Sequence, residues 1–300
     1  MAVTSLDSRW RCCVLATFAI AWVAIAWVAV AGSAQAAQPV AMVTDIVGGN
    51  SVSGMGEMTE LSLLDEITPG GSVDLAAGSR LVIVYYESGN EYIFTGPASV
   101  RFDAEAPEVL SGNAPEQRQV LLADASGEII IQPSGMLQAG LVMRDIDPSI
   151  KIKLDNLVDT KTLDKRPVFR WQPLPGATSY HLEIIDDAGE SLAAIDVAAT
   201  EASLPEAVTL EVGVTYTWEV SARTPDGILH SNWGDFSLAT DAERSLIEQM
   251  RPPSDAPFSS RVMFAVVLQQ LELRDEAVEL WKGLLAERSD DPKLRQLVAQ

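Results

Sequence analysis

The chain has 300 residues and carries 21 Lys and Arg against 42 Asp and Glu, a formal charge of -21. A field of that sign repels phosphate backbones, which argues against nucleic-acid partners. Its two cysteines, Cys12 and Cys13, both fall in an apolar leader, so the rest of the chain has neither a disulfide nor a thiolate metal ligand.

Residues 12–44 contain no charged side chain. Arg9 and Arg11 stand just before this stretch, and Ala34-Gln35-Ala36 closes its apolar part. A positive end, an apolar middle and a small-residue exit make an export signal. A cleaved signal has an apolar core of about 7–15 residues, whereas a membrane-spanning helix needs about 20. The run from Cys12 to Gly32 is long enough for either, and the Ala34/Ala36 exit favours cleavage. Residues 1–36 are therefore expected to be a signal peptide or an N-terminal anchor, with inner-membrane association through residues 12–32 in the second case. Both outcomes export the chain from residue 37 onward, which makes it periplasmic.

Residues 41–144 carry strand patterning. Leu81–Tyr86 (LVIVYY) and Glu91–Thr95 (EYIFT) alternate around Ser88-Gly89-Asn90, a hairpin turn in which Gly and Asn tolerate positive φ. Gly96-Pro97 stops the second strand. Shorter strands fit Val100–Asp103, Val120–Ala123 and Glu128–Gln132, separated by Gly-containing turns. A small β-roll or sandwich is expected. The residues Gly70-Gly71-Ser72, Gly78-Ser79, Leu81–Tyr85, Gly89 and Gly96-Pro97 give this region its resemblance to a FecR-like domain, over about 70 residues from Val47. One departure is the turn, Ser88-Gly89-Asn90 where the family has Asp-Gly-Ser. The resemblance implies an envelope module.

Residues 145–164 read as a linker or a final edge strand, with one short alternating run at Ile150–Leu154. Lys151, Lys153, Lys161, Lys165 and Arg166 form the densest basic group after the leader. Lysine on an edge strand discourages strand addition; docking of an acidic partner is the alternative use.

In residues 165–240, Tyr180–Ile185 (YHLEII) alternates throughout and runs into the turn Asp186-Asp187-Ala188-Gly189. Alternation places Tyr216, Trp218, Val220 and Ala222 on one face. Tyr216 follows Leu210 by six residues with Gly213 between, the spacing of a tyrosine corner. With Trp171 as a core tryptophan of an early strand and Tyr180 on the next sheet, the segment resembles a fibronectin type III domain. It is shorter than the roughly 100 residues of such sandwiches, so a strand is expected to be short or missing.

The period changes in residues 241–300. Phe264, Val267, Leu268 and Leu271 recur at helical spacing, as do Ala277, Leu280, Trp281, Leu284 and Leu285. Two antiparallel helices joined at Glu272–Asp275 are expected, with an earlier helix over 241–250 ended by Arg251-Pro252-Pro253. The pair resembles one tetratricopeptide repeat, although Pro292 falls about three residues late. A single repeat does not stack alone, so a helical cap on the β structure is an equal reading. The expected fold is thus mainly β with C-terminal α.

Chemistry is sparse. His181 and His230 are the only histidines, and no metalloprotease, serine-hydrolase, phosphate-loop or dinucleotide motif occurs. No cofactor, metal site or catalytic residue is assigned. The candidate partner-binding residues are Trp233, in an expected loop over 231–234, then Tyr86, whose neighbour Tyr85 should face the opposite way, and Lys151 and Lys153. These features favour a non-catalytic exported envelope scaffold or binding protein that contacts an envelope protein or a cell-wall polymer. The FecR resemblance implies an alternative, a transmembrane signalling regulator, but only Met1–Arg11 precede the apolar run, too few to fold. A glycan-active enzyme is the least favoured class.

Overall fold

The structure is a computed structural model that describes residues 38–120 and 152–299. The leader with its Ala34-Gln35-Ala36 exit, the strand expected over Glu128–Gln132 and Lys151 lie outside the described residues. No helix among the described residues is long and apolar enough to cross a membrane. From Pro39 onward the described residues belong to one compact unit. Among the described residues it is mainly β, made of several sheets of largely antiparallel strands followed by four helices.

Among the described residues, nine strands form the first part. These are β1 (Ala41–Val47), β2 (Asn50–Ser53), β3 (Glu66–Ile67), β4 (Ser72–Leu75), β5 (Arg80–Tyr85), β6 (Asn90–Thr95), β7 (Ala98–Phe102), β8 (Pro107–Ser111) and β9 (Glu116–Gln119). They build a five-stranded sheet in the order β3-β1-β5-β6-β9 and a four-stranded sheet in the order β2-β4-β7-β8. Ala41, Val43, Leu81, Ile83 and Phe94 of the first sheet share a core with Val73, Val100 and Phe102 of the second. The turn at Gly89 has φ +64, as its sequence required. Gly96 is required sterically: a Cβ there would stand 1.9 Å from the Ala76 carbonyl oxygen.

Strand β5 departs from the expected in–out alternation. Leu81, Val82, Ile83, Val84 and Tyr85 are all buried. One side faces the four-stranded sheet; on the other, Met42, Val84 and Tyr86 pack against the C-terminal helices. A strand covered on both faces reads as a continuous apolar run, which is what LVIVYY is.

The second part holds β10 (Thr160–Thr162), β11 (Val168–Arg170), β12 (Tyr180–Ile185), β13 (Ser191–Val197), β14 (Glu201–Ser203), β15 (Thr215–Arg223) and β16 (Leu229–Leu238). A five-stranded sheet runs β10-β16-β15-β12-β13, with β10 parallel to β16, and β11 pairs with β14. Tyr216, Trp218, Val220 and Ala222 all point inward, as alternation required. Trp171 and Phe169 pack against Trp218 with ring centroids 6.3 and 5.2 Å away. The backbone N–H of Glu211 donates to the Tyr216 hydroxyl at 2.7 Å, which closes the corner. Strand pairing in the 145–164 region occurs at Thr160–Thr162, while Leu154 makes only an isolated bridge to Trp171. Ile152 and Leu157 join this core, and Trp218 Nε1 donates to the Leu157 carbonyl at 2.8 Å. Gly234 lets that segment approach, since a Cβ would stand 2.9 Å from the same oxygen.

The helices are α1 (Asp241–Met250), α2 (Phe258–Gln270), α3 (Arg274–Glu287) and α4 (Pro292–Val298). Thr240 and Glu243 form a capping box at the start of α1. Asp291 caps α4, with Pro292 at the first helical position, so the late proline starts a further short helix. Helix α2 is buried on nearly all sides, between β1 and β5 and the partner helix α3. Trp281, Leu284 and Ala277 of α3 complete this core.

Two polar latches lock the helices to the strands. At one, the buried Asp45 of β1 sits 2.7 Å from Arg288, which follows α3, and 3.4 Å from Arg80. The Arg288 guanidinium also lies 3.6 Å from the Phe258 ring centroid. A bulge between Val43 and Asp45 shifts the register of β1 against β5 at this point. At the other latch, the first turn of α3 grips the segment leading into β10. Leu157 N–H donates to Asp275 Oδ2 at 2.8 Å and Leu163 N–H to Glu276 Oε1 at 3.1 Å. Lys161 N–H donates to the Glu272 carbonyl at 2.8 Å.

Candidate functional site

Alternation along β16 turns Phe236 and Leu238 into the core and turns Leu229, Ser231, Trp233 and Asp235 outward. Trp233 therefore stands on a strand rather than in the expected loop, and it is 55% exposed. Leu229, four residues away and thus about 13 Å along the strand, is exposed as well, as is Ile228 in the hairpin turn. Among the described residues, few large apolar side chains reach solvent, and three of them cluster on this hairpin.

The register gives Trp233 its neighbours. It lies directly opposite Glu219 of β15, and Glu219 lies opposite Glu183 of β12. The next row outward holds Ser231, Ser221, His181 and Asp196. There His181 Nδ1 is 2.8 Å from Asp196 Oδ1. On the other side of the tryptophan row, the Thr217 hydroxyl donates to Asp235 Oδ1 at 2.6 Å. The outer sheet face thus presents one indole beside a band of carboxylates. Like charges directly opposite each other across two strands are destabilising. Glu183 and Glu219 make such a pair, and among the described residues neither has a basic or hydrogen-bonding partner.

A cleft of about 560 Å³ lies between residues 156–170 and the helices, lined by Leu157, Leu163, Phe264, Leu280, Arg170 and Glu276 among others. Of the carboxyl groups that line it, Asp275 and Glu276 are half-buried, and burial pushes the pKa of both above the ordinary carboxylate value. Raised carboxyl pKa values mark candidate acids in a cleft. Here each group already accepts a backbone N–H, so both act in holding the segment. Lys161 is tied at 2.8 Å to Glu243 and 3.3 Å to Glu272. Burial opposes its charge, but those two carboxylates more than offset this and raise its pKa. Among the described residues there is no group of three or more His, Cys, Asp or Glu arranged to hold a metal ion. His181 faces outward, while His230 lies opposite the inward-facing Ala222, so the two imidazoles sit on opposite sides of the sheet.

The structure thus separates the sequence candidates. Tyr86 is covered: it is 9% exposed, packs into the helical core and donates to Glu66 Oε1 at 3.5 Å. Burial pushes its phenol pKa up, with the nearby Glu66 charge adding to the effect. Tyr85 is buried on the opposite side of the sheet, so neither tyrosine of the pair faces out. Lys153 is exposed, its carbonyl accepting Gln172 N–H at 2.8 Å, and it is not part of the Trp233 face. Glu183 and Glu219 were not anticipated as site residues. The signal was present in the alternation of YHLEII and TYTWEVSA, which puts each glutamate opposite the core positions. Strand pairing, which brings them to Trp233, is a long-range fact.

No family model matches the chain, and no curated protein matches it. Among solved structures, the chain is similar over part of its length to CopC from Methylosinus trichosporium OB3b, at 18% identity and a TM-score of 0.22. The match covers 29% of this chain and 92% of that one. A score that low fixes neither fold nor activity.

Proposed function

We propose that the chain is a non-catalytic, exported scaffold or binding protein of the cell envelope, and that it contacts its partner, an envelope protein or a wall polymer, through the outer face of the β16-β15-β12 sheet. The observation that carries this reading is Trp233, an indole 55% exposed at the middle of a strand in a rigid sheet. Trp residues are highly buried on average, and aromatic residues are enriched where proteins bind one another. The helices offer less: the faces of α2 and α3 are occupied by this chain's own β1 and β5.

On this reading the first β part is a FecR-like module, supported by its turn glycines and the Gly96-Pro97 stop. The second is a fibronectin type III-like sandwich, supported by the Tyr216 corner and the Trp171 core. Helices α2 and α3 are a tetratricopeptide-like pair used as a cap. Export is the sequence-based part of the proposal, and finding Ala37 as the first residue of the envelope-located protein would check it.

The test of binding is a photo-crosslinking residue placed at position 231 of the full chain, beside an intact Trp233 on the same sheet face, expressed in its own envelope. Adducts at 231 and none at the exposed Asp187 on the far turn are the expected result. Equal labelling at both positions, or none at 231, overturns the reading. Deleting residues 241–300 is not a usable test of partner binding, because it uncovers Met42, Val84 and Tyr86.

A further inference from the structure

Resting on the sheet-face reading above, we infer that the partner of this face is a basic protein segment, and that an arginine side chain stacks on Trp233 while its guanidinium pairs with Glu219 and Glu183. The row Trp233–Glu219–Glu183 crosses three adjacent strands. With strands about 4.8 Å apart it spans about 10 Å. A planar guanidinium is the cation that fits this arrangement. It stacks on an aromatic face and also presents a fork of donors to carboxylates.

Charge complementarity selects the same occupant. Asp235 flanks the row beside Trp233, and Asp196 lies beyond its Glu183 end, so acid groups occur along the length of this face. His181 is held by Asp196, and Arg223 turns away to the hairpin, its Nη1 donating to the Gly227 carbonyl at 2.8 Å. The opposed glutamates repel each other in the free protein. A cation seated between them removes that repulsion, so the pair favours the bound state over the free one. A neutral glycan would stack on the indole but would leave the repulsion in place.

The experiment measures binding of a fluorescently labelled alternating Arg-Ala decapeptide to the purified full chain by anisotropy. Wall-glycan fragments and a Glu-Ala decapeptide are the comparison probes. The expected result is salt-sensitive binding of the Arg-Ala peptide alone. It should weaken at least tenfold in Trp233→Ala and in the double variant Glu183→Gln/Glu219→Gln. The double variant Glu57→Gln/Glu60→Gln removes the same charge from an exposed loop and should stay within twofold of the parent. The inference falls if the two double variants bind alike, or if glycan fragments bind through Trp233 in a manner insensitive to Glu183→Gln/Glu219→Gln. In either case adducts at position 231 leave the broader reading standing, whereas absence of adducts there overturns both.

Discussion

Trp233 and Tyr86 are the first and second aromatic candidates by sequence, and the molecule treats them in opposite ways. Each lies at or beside a strand of a five-stranded sheet whose other face packs on a β core. The outer face of the first sheet, at Met42, Val84 and Tyr86, is covered by α2 and α3. Among the described residues nothing covers the outer face of the second sheet at Trp233, which is exposed beside Glu219 and Glu183. Whether an aromatic residue on a strand serves stability or recognition is thus decided by a distant segment of chain. An aromatic covered by the chain itself should cost stability when removed. One left open should cost only binding.

The largest expected effects test the covered face. Trp281→Ala and Tyr86→Ala should each destabilise by about 3–5 kcal/mol, the range for truncating a buried aromatic, as read from the midpoint of urea unfolding. Next is Arg288→Ala, which leaves Asp45 buried with only the more distant Arg80. A loss of about 3 kcal/mol is expected, since breaking a buried ion pair strands its partner. Asp45→Asn/Arg288→Met should recover part of that loss in the same assay.

The latch on residues 157–163 gives a smaller, pH-dependent effect. Asp275→Ala should cost about 1–2 kcal/mol by leaving the Leu157 N–H without its acceptor, and Asp275→Asn should cost less. Asp275 and Glu276 have folded-state pKa values above the ordinary ones, through burial. Just above the ordinary carboxylate range, the folded chain therefore binds more protons at these sites than the unfolded chain. Their contribution to stability grows as pH falls through the raised pKa and is lost as pH rises through it. Glu243 acts in the opposite direction. Burial opposes its charge, but its bonds to Lys161 and Thr240 win and lower its pKa, so its contribution is lost on acidification. Unfolding titrations of Asp275→Asn/Glu276→Gln against the parent should show the parent gaining relative stability from pH 7 downward. A parallel pair of curves would mean that the pKa values of these groups do not rise on folding.

The smallest stability effect belongs to the open face. Trp233→Ala should change unfolding by no more than about 0.5 kcal/mol while abolishing crosslinks and peptide binding. A loss as large as that of Tyr86→Ala would show that Trp233 is a structural residue, and the contrast between the two faces would disappear.

Much of this architecture could be read from the chain directly. The inward set Tyr216, Trp218, Val220 and Ala222 follows from a period of two, and the existence of α1–α3, with the end of α1 and the joint between α2 and α3, follows from apolar spacing and the Pro252-Pro253 stop. These are local signals. What escaped is everything set by non-local coverage. LVIVYY could not announce that its second face is sealed by residues some 180 positions later. Residues 145–164 fit a linker or an edge strand, and nothing local picks out Thr160–Thr162, whose partner β16 arrives about seventy residues later. Asp45 is the one charged residue of β1, and its counter-charge Arg288 is remote in sequence. At the site, Trp233 was legible as a residue type, but its neighbours Glu219 and Glu183 come from two other strands, and only the register joins them.

The order in which the parts are synthesised gives the covering helices a further meaning. Ribosomes deliver β1 and β5 long before α2 and α3 exist, so a nascent chain carries a bare greasy strip at Met42, Val84 and Tyr86 until its tail emerges. Such a strip is a ready target for holdases and for self-association. Any slowdown in producing the tail should therefore surface first as insoluble material, well before it is seen as lost binding.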